Sequence, residues 1–164
     1  MKLLFGLSIF LAMPGFIFPT KEQVRPMYKK AANSEAACKD LIKILAPFNE
    51  NNNALLSGYK GSATMMMAKY VFNPFSKMSY FNKGKNILEN AINTEKNNVE
   101  LRFIRYCVQT NIPFFLGYKS DIKPDKEFIL ASLKKLDEIP LRTMIVEYFG
   151  EQEDLSSLEK QLLP

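Results

Sequence analysis

The side chains able to do chemistry fall into a few groups. Arg102 and Arg105 lie three apart, on neighbouring turns of one helix face, close to Tyr106 and Gln109. Tyr59 and Lys60 sit between Gly58 and Gly61. Two glycines inside a helical pattern cost about 1 kcal/mol each relative to alanine, so something must offset them. Either two helices approach closely there with Tyr59 buried, or a groove floor presents Tyr59 and Lys60 to a ligand. Met65, Met66 and Met67 offer thioethers. Consecutive helical residues diverge, however, and cannot converge on one ion, so they suit a core. Asn73, Pro74 and Phe75, then Lys77, Tyr80, Phe81, Lys83 and Lys85, mix aromatic and basic groups. That stretch is either a connecting loop with Phe75 and Phe81 plugging the core, or a rim recognising a peptide or an anionic group.

The missing residue types restrict catalysis further. The chain has no histidine. This excludes Ser-His-Asp and Cys-His mechanisms and histidine zinc sites. Asp137 and Glu138 are adjacent, so on a helix they diverge and cannot form a facing carboxylate pair. No nucleophile elbow, phosphate-binding loop or dinucleotide fingerprint occurs. No catalytic residue, metal site or cofactor is expected. The candidate binding residues are Tyr59, Lys60, Asn73, Phe75, Tyr80, Arg102 and Arg105. An enclosed pocket built from Tyr59, Glu100, Arg102 and Arg105 is the alternative, and would suit a small-molecule binder or an enzyme.

Helices must position these groups. Apolar residues step by three and four along most of the chain past residue 20. Val24, Met27, Tyr28 and Ala31 form one stripe, with Pro26 expected near a first turn. Cys38, Leu41, Ile42 and Leu45 follow Ser34, a good N-cap, and Pro47 closes that stripe. A long helix is expected from Ala54 to Phe72, and Asn73-Pro74 ends it. Further stripes run from Met78 to Ile92, with Gly84 and Lys85 on the intervening helical turn, and from Val99 to Val108. Residues 112–124 read as a loop with its aromatics turned inward. Helices follow over Lys126–Leu136 and from Pro140 to a stop at Gly150, and Ser156 with Glu159 forms a capping box for a last one. No sustained period-two alternation appears. The fold class expected is all-α: antiparallel helical hairpins packed as a small bundle or a short tetratricopeptide-like solenoid.

The segment GKNILENAINTEKNNVELRFIRYCV resembles the tetratricopeptide junction. Gly84, Leu88 and Ala91 fall at the spacing of that family's small and large positions, and Asn97-Asn98 stands in its turn. Lys96 replaces the usual proline, and Arg102 sits where an aromatic is expected. The likeness spans one repeat and implies helical-hairpin architecture. The block from Gly58 to Gly84 is similar to one in small exported bacterial proteins of uncharacterised function. It implies export and helicity, and no activity.

Met1-Lys2 precedes an apolar run from Leu3 to Phe18, the layout of a secretory signal. The run is broken by Gly6, Pro14 and Gly15, and is shorter than the ~20 residues that span a bilayer comfortably. Residues 1–19 are thus expected to be a signal peptide or N-terminal anchor, and residues 20–164 a single helical domain. The protein is expected to be exported, periplasmic or secreted. Cys38 and Cys107 are the only cysteines. They either form one bridge in an oxidising compartment or serve as small buried hydrophobes. With 22 basic and 17 acidic residues the net charge is +5, a mild excess without the dense clustering of a nucleic-acid binder. The expected partner is a protein or peptide, with no nucleic acid, and a membrane only where the N-terminal segment is retained. These expectations add up to a non-enzymatic interaction or scaffold module of the cell envelope.

Overall fold

The computed structural model describes residues 18–151, and among them the chain is all-α, packed as a small helical bundle. The helices are α1 (Lys21–Ala31), α2 (Glu35–Ile44), α3 (Ala54–Met66), α4 (Pro74–Thr94), α5 (Val99–Asn111), α6 (Ile122–Leu133) and α7 (Ile139–Gly150). Single 3-10 turns occupy Met67–Lys69 and Phe114–Leu116. The expected leader and the expected Ser156–Glu159 capping box lie outside the described residues, apart from Phe18 and Pro19.

Short polar side chains start most of these helices by accepting the first free backbone N–H groups. Ser34 accepts from Ala37, Asn53 from Leu56, Asn73 from Phe75 and Ser76, and Asn98 from Glu100 and Leu101. At α1 the Gln23 side chain accepts the backbone N–H of Thr20 at 3.0 Å. That cap sets the start of α1 early, so Pro26 lies past the first turn rather than in it. Pro74 and Pro140 stand at first-turn positions, where a missing N–H costs nothing. Gly150 ends α7 as expected.

Two apolar cores share α5. The first gathers α1, α2, α3, α4 and one face of α5 around Val24, Leu41, Leu45, Tyr59, Leu88 and Leu101. The second packs the other face of α5, through Phe103 and Tyr106, against Ile129, Leu133, Ile145 and Phe149 of α6 and α7. α3 is enclosed on almost every side, which explains its run of Ser57, Gly58, Gly61, Ser62, Ala63 and Thr64.

Three points left by the sequence are settled here. The stripe from Met78 to Ile92 is one continuous helix, α4, with Gly84 and Lys85 on the turn between its two halves. Gly84 is also a crossing point. A Cβ there would lie 2.4 Å from the Gly61 carbonyl oxygen and 2.6 Å from the Met65 nitrogen. The glycines at 58 and 61 therefore mark close helix approach, with Tyr59 buried. Second, residues 112–124 turn only part of their aromatics inward: Tyr118 is buried, whereas Phe114 and Phe115 face solvent. Third, Cys38 and Cys107 are both free thiols and not a bridge. Cys38 lies in the first core with its Sγ donating to the Ala63 carbonyl at 3.2 Å, and Cys107 packs against the second.

Candidate functional site

Two buried polar clusters flank α5. In the first, Glu100 of α5 receives Arg25 of α1 through both carboxylate oxygens, each at 2.6 Å, and the Tyr59 hydroxyl of α3 at 2.5 Å. Arg25 also pairs with Glu138 at 2.7 Å, and Lys21 pairs with the other Glu138 oxygen at 2.7 Å. In the second, Asp125 of α6 accepts from Arg105 at 2.7 and 2.9 Å and from Arg102 at 2.7 Å. Arg105 further reaches Glu89 at 2.9 Å, and the Tyr118 hydroxyl donates to the same carboxylate. Asp121 accepts from Gln109 at 3.2 Å and from Ser120 at 2.8 Å. The Arg102 guanidinium lies over the Phe128 ring, 5.3 Å from its centroid.

These clusters hold elements together, and their chemistry is quiet. Burial, followed by the Glu100 charge, pushes the Tyr59 hydroxyl far above the ordinary phenol range, so it stays a proton donor. Burial and Glu89 do the same to Tyr118. Burial pushes the Cys38 thiol up to about 11, which removes it as a nucleophile near neutral pH. Among the described residues no group of three or more histidine, cysteine or acidic side chains could hold a metal ion. Nor is any described helix long and apolar enough to cross a membrane.

The expected binding residues do not form one surface. Tyr59 and Arg105 are interior, each committed to a buried carboxylate, so neither can face a ligand. Arg102 is half-buried against Asp125, and Lys60 turns back to the Phe48 carbonyl. Glu100 and Tyr59 belong to one cluster and Arg102 and Arg105 to the other. The four therefore fill space with their own partners instead of lining a common pocket. Tyr80 borders a shallow depression of about 250 Å³ with Lys39, Ile42, Lys43, Ala46 and Met67. Asn73 caps α4, and Phe75 stands free on its first turn.

Phe75 belongs to a feature that the periodicity missed. Phe72, Phe75, Phe114 and Phe115 are 98%, 86%, 84% and 81% exposed, and Met78 is exposed beside them. All lie at one end of the bundle. α3 and α5 both run antiparallel to α4, and Gly58 of α3 touches Leu101 of α5. Phe72 follows the C-terminal end of α3 at Met66 and Phe114 that of α5 at Asn111, so both turns leave the same end of the bundle. Phe81 of α4 meets Tyr118 edge-on, with centroids 6.0 Å apart, which ties the α5–α6 turn to the Phe75 side of α4. The sequence signal was present. These phenylalanines sit beside Asn73-Pro74, Pro113 and Gly117, outside every helical stripe.

No family model matches this chain, and neither a curated protein nor a solved structure gives a match to it.

Proposed function

We propose that the chain is a non-enzymatic interaction or scaffold module of the cell envelope, which attaches to its partner through the aromatic end formed by the α3–α4 and α5–α6 turns. The observation that carries this is five large apolar side chains exposed together on a bundle whose buried charges are already paired. Clustered exposed apolar groups mark interaction surfaces, whereas a single exposed one means nothing. The apolar leader behind Lys2 supports placement at the envelope.

Photocrosslinking in the native host tests this. A benzophenone amino acid replaces Phe75 or Phe115 at the aromatic end, or Ile139, which is 73% exposed at the start of α7. Ile139 lies at the opposite end, because the adjacent Glu138 meets Arg25 and Lys21 in the first half of α1. Adducts with an envelope component should concentrate at positions 75 and 115. Equal yields at 75, 115 and 139, or none, would overturn the proposal.

A further inference from the structure

We infer that the occupant of the aromatic end is the surface of an anionic lipid bilayer; this rests on the interaction reading above and names its partner. Exposure comes first. Phe72 and Phe75 stand on one turn and Phe114 and Phe115 on another, each more than 80% exposed. None of the four lines the depression along α1 and α2 or the one beside Tyr80. A bilayer interface takes apolar side chains at any mutual spacing, whereas a protein partner must match them with pockets.

Charge selects the kind of bilayer. Residues 51–88 contain Lys60, Lys69, Lys77, Lys83 and Lys85 and not one aspartate or glutamate. Lys69 and Lys77 flank Phe72 and Phe75, and Lys119 and Lys123 follow Phe115 on the other turn. The acids that border this region are turned to the protein: Glu89 and Asp121 face Arg105, and Asp125 is buried under Arg102 and Arg105. On the neighbouring helices in this half, Glu35 pairs with Lys39 at 2.6 Å and Glu147 lies 3.9 Å from Lys29. An apolar tip with lysines beside it on both turns is the arrangement that a negatively charged lipid surface attracts and then holds.

The chain contains no tryptophan, so one introduced indole reports its own site alone. The full chain carrying Phe75→Trp, Phe115→Trp or Ile139→Trp is mixed with vesicles of phosphatidylcholine, or of phosphatidylcholine and phosphatidylglycerol in equal parts. Circular dichroism first shows that each variant is folded. With the anionic vesicles, emission from Phe75→Trp and Phe115→Trp should shift to the blue and be quenched by brominated acyl chains. Ile139→Trp should do neither, even if the leader holds the chain on the vesicle. Lys77→Gln in the Phe75→Trp background should weaken partition about fivefold, and raised salt should weaken it further. Water-exposed emission from both Phe75→Trp and Phe115→Trp on anionic vesicles would overturn the inference. So would equal shifts at positions 75 and 139. If crosslinks at position 75 persist while emission stays unshifted, the partner is a protein, and the bilayer inference falls while the interaction module stands. Loss of both signals removes both.

Discussion

Adding one methyl group at Gly84 probes the closest helix contact in the fold. The ideal Cβ would sit 2.4 Å from the Gly61 carbonyl oxygen, 2.6 Å from the Met65 nitrogen and 2.7 Å from Met65 Cγ. Ordinary contact begins near 3.4 Å, so α3 and α4 must part by about 1 Å. Two of the three obstacles are backbone atoms, which cannot rotate away. A gap of that size forfeits a quarter to a half of each dispersion contact along the seam, where Tyr59, Ala63, Leu88 and Ala91 are fully buried. Overpacking of this kind costs about 1–3 kcal/mol and at backbone contacts more. Alanine recovers about 1 kcal/mol of helix propensity. The expected net loss for Gly84→Ala is about 2 kcal/mol, or a fall of roughly 5 °C in Tm for a chain of this size. Gly61→Ala should behave alike, since its Cβ would meet the Leu88 nitrogen at 2.7 Å and the Gly84 oxygen at 2.8 Å. Gly58→Ala should cost less, because its nearest obstacle is the end of the Leu101 side chain. Gly150→Ala meets nothing within 4 Å and should be neutral or stabilising by up to about 1 kcal/mol. Urea titration followed by far-UV circular dichroism ranks the four. If Gly84→Ala proves as stable as Gly150→Ala, the α3–α4 backbones are not in contact and the account of this seam is wrong.

Glu100→Ala should destabilise by about 3–5 kcal/mol, because it leaves the buried Arg25 guanidinium and the Tyr59 hydroxyl without their shared acceptor. The urea midpoint measures it, and a loss under about 1 kcal/mol would contradict the cluster. Glu138 gives a pH dependence. Burial opposes its charge, but hydrogen bonds from Lys21 and Arg25 and their charges win, and hold its carboxyl below the ordinary glutamate value of 4.5. Its folded pKa is lower than its unfolded one, so the stabilisation is complete above about pH 4.5 and is lost as pH falls through the folded value. Glu138→Gln should therefore flatten the decline in urea midpoint below about pH 4.5, and an unchanged slope there would count against the pairing. Both thiols should resist iodoacetamide in the folded protein and react once it is unfolded, since burial raises Cys38 to about 11 and Cys107 further. Mass spectrometry reads the labelling, and fast native modification of Cys38 would refute the assignment.

The helices were legible because each carries an apolar stripe and most begin with a small polar cap. The long-range pairs were not. Arg25 and Glu100 are 75 residues apart, and Arg105 and Asp125 are 20 apart. Nothing in either neighbourhood shows that a charged side chain on a helical stripe has a partner inside the fold. The contact at Gly84 was not legible, because a lone glycine in a helical stripe does not name what lies opposite it, and here that is Gly61. Tyr59 was open between a buried place at a close crossing and a ligand-facing one, because its acceptor Glu100, 41 residues away, was invisible. Phe75 stood out by its basic surroundings. Phe72, Phe114 and Phe115 did not, because apolar side chains near a turn are ordinarily assigned to the core.

The interior is complete without those phenylalanines, and that is a measurable claim. A buried aromatic side chain removes about 150–250 Å² from water and counts among the larger stabilising groups of a domain. Phe81, Phe103 and Phe149 do this at 5%, 4% and 0% exposure. Phe72, Phe75 and Phe115 contribute almost none of it, and the cores close beneath them through Phe81, Tyr118, Ile112 and Leu116. Replacing each of the three with serine should therefore shift stability by no more than about 0.5 kcal/mol, against about 3–5 kcal/mol for Phe149→Ala. The same serine variants should abolish the blue-shifted, bilayer-inserted state of an indole placed at position 114. Such a separation is what a surface feature kept for contact requires, since a side chain that supports the fold cannot be removed without unfolding cost. If the serine variants unfold at markedly lower urea, the aromatic end is part of the core and has no face left to offer a membrane.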